Sequence, residues 1–186
     1  MFETRQKKIK VRKPKPLNKE RLEFLALRYI TRYAATRGML GRTLQRHIDK
    51  AAYADKELDK NMAVQWKEAI LNRYEEKNWI NDGDLTKRYI EHAQHSGLSK
   101  QKMQQKLMSK GVDKNLIQEK MIEAVDESSF DEMDLKSAQI FAKKKSLGIY
   151  RKNKDADPKK ELAKMCRAGF SFETARKALN AEIDED

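Results

Sequence analysis

The sequence predicts an all-α protein assembled from tandem three-helix units, and three observations carry that prediction. The first is an internal repeat: LMSKGVDKNLIQEKM at 107–121 is written again as MCRAGFSFETARKAL at 165–179. Leu107, Gly111, Val112, Asp113, Ile117 and Met121 answer to Met165, Gly169, Phe170, Ser171, Ala175 and Leu179, and a repeated helix-stop, cap and helix-start marks a modular helical scaffold. The second is composition, with only three prolines and seven glycines in 186 residues dominated by Lys, Glu, Ala, Leu, Gln and Arg. The third is apolar spacing of three and four residues along most of the chain.

Each position of the repeated joint has a mechanical reason. Gly111 and Gly169 follow runs of helix formers, and glycine takes the left-handed conformation that closes a helix without a Cβ penalty. Asp113 and Ser171 stand two residues later, where they can accept the free amides of a new first turn. Val112 and Phe170, just before these caps, can pack on Ile117 and Ala175 as hydrophobic staples.

Read in order, residues 1–17 hold Pro14 and Pro16 among lysines and are expected to form a basic, disordered arm. Periodicity begins after Asn18 with Leu22, Leu25, Ala26, Tyr29 and Tyr33. A second helix is expected from about Thr36 to Lys50 with Leu40, Leu44 and Ile48 on one face. A third is expected from about Asp55 to Asn78 with Met62, Trp66, Ala69 and Ile70 inward, which completes a first unit over 18–80. The second unit, 81–128, opens on the Asn81-Asp82-Gly83-Asp84 turn and carries Leu85, Tyr89 and Ala93 on one stripe. Gly97 interrupts it, Ser99 caps its second helix with Met103 and Leu107 inward, and Asp113 starts the third with Leu116, Ile117, Met121 and Val125. The third unit, 129–183, repeats this order, with Asp84, Leu85 and Ile90 recurring as Asp134, Leu135 and Ile140. The offset then grows from 50 to 58 residues, so about eight extra residues lie between its first two helices.

Charge is concentrated. Of the net +12, residues 1–21 contribute +7 and residues 143–167 another +7, so the remainder is slightly acidic. Two basic segments point to an acidic or polyanionic partner, because Lys and Arg release counterions condensed on phosphate backbones. A basic arm also serves simply as a solubilising tail. The single cysteine, Cys166, excludes an internal disulfide and lacks a recognisable His partner, and the chain holds no apolar run of about 18 residues that could span a bilayer. A soluble, cytoplasmic monomer without cofactor is therefore expected. His92 and His95 beside Glu91 are better read as surface histidines than as metal ligands, since no further ligand lies at suitable spacing. No Gly-rich phosphate loop, nucleophile elbow or carboxylate motif is present, which argues against an enzyme.

A family resemblance runs over about residues 18–182. It is carried by Leu25-Ala26-Leu27-Arg28-Tyr29, Trp79-Ile80-Asn81-Asp82, Gly97-Leu98-Ser99, Lys110-Gly111-Val112, Leu147-Gly148-Ile149-Tyr150-Arg151 and Arg167-Ala168-Gly169-Phe170-Ser171. In this order and spacing they resemble the RecX family of regulators of the RecA recombinase, particularly its alphaproteobacterial branch. The resemblance implies an elongated, curved array of three three-helix repeats and no catalytic activity. It further implies binding in the groove of RecA filaments on DNA, with inhibition of recombinase and co-protease functions in recombination, DNA repair and the SOS response. Met39 stands where the family usually has glutamate, and Leu85-Thr86 where an aromatic followed by alanine is usual; both are scaffold positions.

A ligand of such a filament needs reach along a groove and distributed positive charge. The candidate contacts to RecA or DNA are Lys143, Lys144, Lys145, Arg151, Lys152 and Lys154, with Arg37, Arg42 and Arg46 secondary and Tyr150 placed to stack. Lysines 143–145 point different ways around a helix, so one face cannot use all three. The rival reading is a basic DNA-binding protein whose units act like helix-turn-helix modules, without RecA.

Overall fold

The computed structural model describes residues 16–124, 130–152 and 157–180. Among them lie nine α-helices and no strand: α1 Lys19–Ile30, α2 Arg37–Ala54, α3 Lys60–Glu76, α4 Asp82–His95, α5 Lys100–Ser109, α6 Lys114–Glu123, α7 Phe130–Lys145, α8 Pro158–Arg167 and α9 Phe172–Asn180, with a 3-10 turn at Gly148–Tyr150. The basic arm up to residue 15, Val125, Lys154 and the acidic end fall outside the described residues.

The helices start where side chains satisfy the free amides of a first turn. Asn18, Thr36, Asp59, Asn81, Ser99, Asp113 and Asp157 each accept from a backbone N–H of the helix they precede. The repeated joint closes as its residues predict. Val112 N–H donates to Leu107 O and Phe170 N–H to Met165 O, while Gly111 and Gly169 take φ of +82° and +93°.

Three apolar clusters follow one another along the helices, with Met133 and Phe130 of α7 reaching back onto the second. Leu22, Ala26, Leu40, Leu44, Ile48, Ile70 and Tyr74 are buried together between α1, α2 and α3. Ile90, Met103, Leu107, Val112, Ile117 and Met121 fill the second cluster, and Ala138, Ala142, Met165, Phe170, Ala175 and Leu179 the third. This is the packing expected of tandem repeats, in which each unit buries its own apolar stripe and meets only its neighbours.

Three sequence expectations need correction. Met62 is 47% exposed and Ala69 is exposed, because α3 starts at Lys60 and turns Ala63, Ile70, Leu71 and Tyr74 inward. Tyr33 is 55% exposed, since α1 ends at Ile30; its ring rests on Tyr29, centroids 5.2 Å apart. In the contacts between units Asp134 does what Asp82 does, and not Asp84: each accepts the backbone amide that follows a hydroxyl cap.

Candidate partner surface and the joints that position it

The same connector is built at both boundaries between helix triplets. At the first, the Thr36 hydroxyl, fully buried at the α2 N-terminus, donates to Lys110 O at the end of α5. The next amide, Arg37 N–H, donates to the Asp82 carboxylate in the first turn of α4 at 2.8 Å. At the second, the Ser99 hydroxyl donates to Ala168 O at 2.7 Å, and Lys100 N–H donates to the Asp134 carboxylate at 2.8 Å. A capping hydroxyl and the amide after it are thus donated across the boundary twice. Burial raises the pKa of both Asp82 and Asp134 above the ordinary aspartate value, and the amide bond works against that rise.

The left-handed glycines complete the connectors. Gly111 lies against Gly38 of α2, where a Cβ on Gly38 would meet Gly111 Cα at 2.7 Å. At the second boundary Gly169 is met by side chains instead, the Ser99 hydroxyl and the Gln101 amide oxygen. Further contacts differ between the two boundaries: Arg42 donates to Ser109 O at 2.8 Å across the first, and the Lys100 ammonium stands 4.0 Å from the Phe130 ring centroid at the second.

The candidate contacts divide by how they are held. Arg37 is committed internally, its guanidinium reaching Glu75, Glu68 at 3.1 Å and Asn72 at 2.9 Å on α3. Lys144 donates to Ser96 O at 3.1 Å and His95 O at 3.4 Å, so it sits on the carbonyl end of α4. Arg151 donates to Glu161 at 2.8 Å and to Gly148 O at 3.1 Å. Lys143, Lys145 and Lys152 are exposed, and Tyr150 is half-buried against the third core. Arg42 and Arg46, one turn apart on α2, line a shallow groove of about 480 Å³ with Gln45. The structure therefore brings Arg42 and Arg46 together on one groove and leaves Lys143, Lys145 and Lys152 exposed before and after the 148–151 turn.

His47 reports on the first set. Its pKa is lowered by burial and then by the positive charges of Arg46, Lys50 and Arg21. Among the described residues no group of three His, Cys, Asp or Glu is disposed to hold a metal, and no helix is long and apolar enough to cross a membrane.

The model of a second three-helix domain of RecX matches residues 81–121, from the Asn81 cap of α4 into α6. A protein of Agrobacterium fabrum named Regulatory protein RecX is 35% identical over 98 residues, 52% of this chain and 49% of that protein. The Regulatory protein RecX of Myxococcus xanthus is 31% identical over 173 residues, covering 91% of this chain and 90% of that one. The chain belongs to the RecX family.

In this RecX-family chain sequence reasoning found the glycines, the caps and the clustered cations but missed who meets whom. Thr36 and Lys110 are 74 residues apart, Ser99 and Ala168 are 69 apart, and no local pattern links them. The one available signal was a hydroxyl cap at equivalent places in two units. Glu161 was missed altogether, because its partners lie 10 and 13 residues upstream, outside helical spacing.

Proposed function

We propose that this chain is a non-enzymatic regulator that binds RecA filaments on DNA and restrains recombinase, ATPase and co-protease activity, acting as a cytoplasmic monomer. The observation that carries the reading is similarity along nearly the whole chain to a protein named as a regulator of this family. The physical arrangement supports it. Exposed cations on α2 and around the 148–151 turn offer distributed charge to a polyanion, DNA being the second partner beside RecA itself. In this reading three repeats span 18–80, 81–128 and 129–183 behind the basic arm, and the first and third repeats carry the charged surfaces.

The test is a titration of DNA-dependent ATP hydrolysis by RecA. Substoichiometric protein is expected to suppress hydrolysis, and raising salt is expected to relieve the suppression. Unchanged hydrolysis under conditions where the protein binds free DNA would overturn the proposal and favour a plain helical DNA-binding protein.

A further inference from the structure

We infer that Glu161 is a positioning residue for the basic stretch 148–152 that follows α7, so that removing this negative charge weakens polyanion binding. The inference rests on the reading that this stretch meets a polyanion.

Glu161 lies in the first turn of α8 and is 6% exposed. One of its carboxylate oxygens accepts Gly148 N–H at 3.1 Å and the Arg151 guanidinium at 2.8 Å. Arg151 Nε in turn donates to Gly148 O at 3.1 Å, which closes a ring of bonds around the 3-10 turn. The turn is also seated on α9: Gly148 has φ of +61°, and a Cβ there would lie 2.2 Å from Leu179 O. Two helices therefore grip the turn, α8 through a carboxylate and α9 through backbone contact. Exposed Lys145 and Lys152 stand at its two ends.

A carboxylate withdrawn from water needs its partners, and this one is placed within one of the two strongly basic segments of the chain. Its neighbour Asp157 stays exposed and caps the helix. Were Glu161 only a negative charge near a phosphate-binding surface, its loss would tighten binding. As the clasp that holds Lys145 and Lys152 in a fixed relation, its loss frees the turn, and the ordering must then be supplied on binding. The two roles predict opposite signs.

The experiment measures binding of the full chain to a fluorescein-labelled single-stranded oligothymidylate at two salt concentrations. Wild type, E161A, E161Q and a K145S/K152S double variant are compared at a temperature where circular dichroism and urea unfolding show each to be fully folded, because a reversibly unfolded fraction would itself raise the apparent Kd. E161A is expected to bind about two- to tenfold more weakly. E161Q, which keeps an oxygen for the Gly148 amide, is expected to fall between it and wild type. Equal or tighter binding by E161Q, alongside weakened binding by the lysine variant, overturns the positioning role and leaves the surface assignment standing. A lysine variant with unchanged affinity and salt dependence removes this stretch from the polyanion surface, and the inference falls with it. Should E161A fail to fold, E161Q decides.

Discussion

Alanine in place of glycine inside a helix ordinarily stabilises it by about 0.8–1.0 kcal/mol. At Gly38 the opposite sign is expected. A Cβ there would stand 2.7 Å from both Gly111 Cα and Gly111 O, backbone atoms of the next repeat that have no rotamer to change. Overpacking of this kind costs about 1–3 kcal/mol. Relief by separation would stretch the Thr36 to Lys110 and Arg37 to Asp82 bonds, each worth about 0.5–1.5 kcal/mol. The two costs together come to about 2–6 kcal/mol, so against the gain in helix propensity G38A should lose about 1–5 kcal/mol. Gly41 supplies the control, since it lies in the same helix and its added Cβ would meet only Leu71 Cδ1, at an ordinary 3.5 Å. G41A should gain about 0.8–1.0 kcal/mol. Urea unfolding followed by far-ultraviolet circular dichroism measures both. If G38A is as stable as wild type, or if the two variants shift in the same direction, the close docking of one repeat on the next is refuted.

Other outcomes follow from the same geometry. S99A and T36V each delete a cap and a donor across a boundary, so each should cost about 1–3 kcal/mol in denaturant unfolding; losses below about 0.5 would show the connectors to be incidental. Asp134 has a raised pKa when folded, so its contribution favours folding below the unfolded aspartate value and is lost as pH rises through the folded one. The stability of wild type relative to D134N should therefore fall across that acidic window, and a flat or rising difference contradicts the burial of this carboxylate. His47 should titrate below 6.5 by NMR, its contribution to stability present above that value and lost as pH falls through the folded pKa. R46S should move the titration back upward; an unmoved value would mean that the Arg46 charge does not act on this ring.

Most of the helical plan was legible because capping and helix termination are decided within a few residues. Asp113 accepting Asn115 N–H and Leu116 N–H, or Ser171 accepting Thr174 N–H, needs nothing from the rest of the fold. The buried face of α3 was less legible: of the expected Met62, Trp66, Ala69 and Ile70, Ile70 is buried and Trp66 packs on the core, while packing against α1 and α2 takes Ala63, Leu71 and Tyr74 in place of Met62 and Ala69. The candidate surface was visible as charge and invisible as geometry. Nothing local announces that Arg37 turns back onto Glu68 and Glu75, that Lys144 closes the end of α4, or that a buried carboxylate holds Arg151.

The connectors also have an electrical consequence. Each sets the amide end of one second helix against the carbonyl end of the next, α2 on α5 and α5 on α8, so four of the six helix poles meet an opposite partner. Two poles stay unmatched, the carbonyl end of α2 at Ala54 and the amide end of α8 at Pro158. That second pole cannot take another unit through the same chemistry: Asp157 offers an acceptor where Thr36 and Ser99 offer a donor, and Pro158 has no amide hydrogen where Arg37 and Lys100 use theirs. A further unit would need a different joint there, at a helix start that itself carries Lys159 and Lys160.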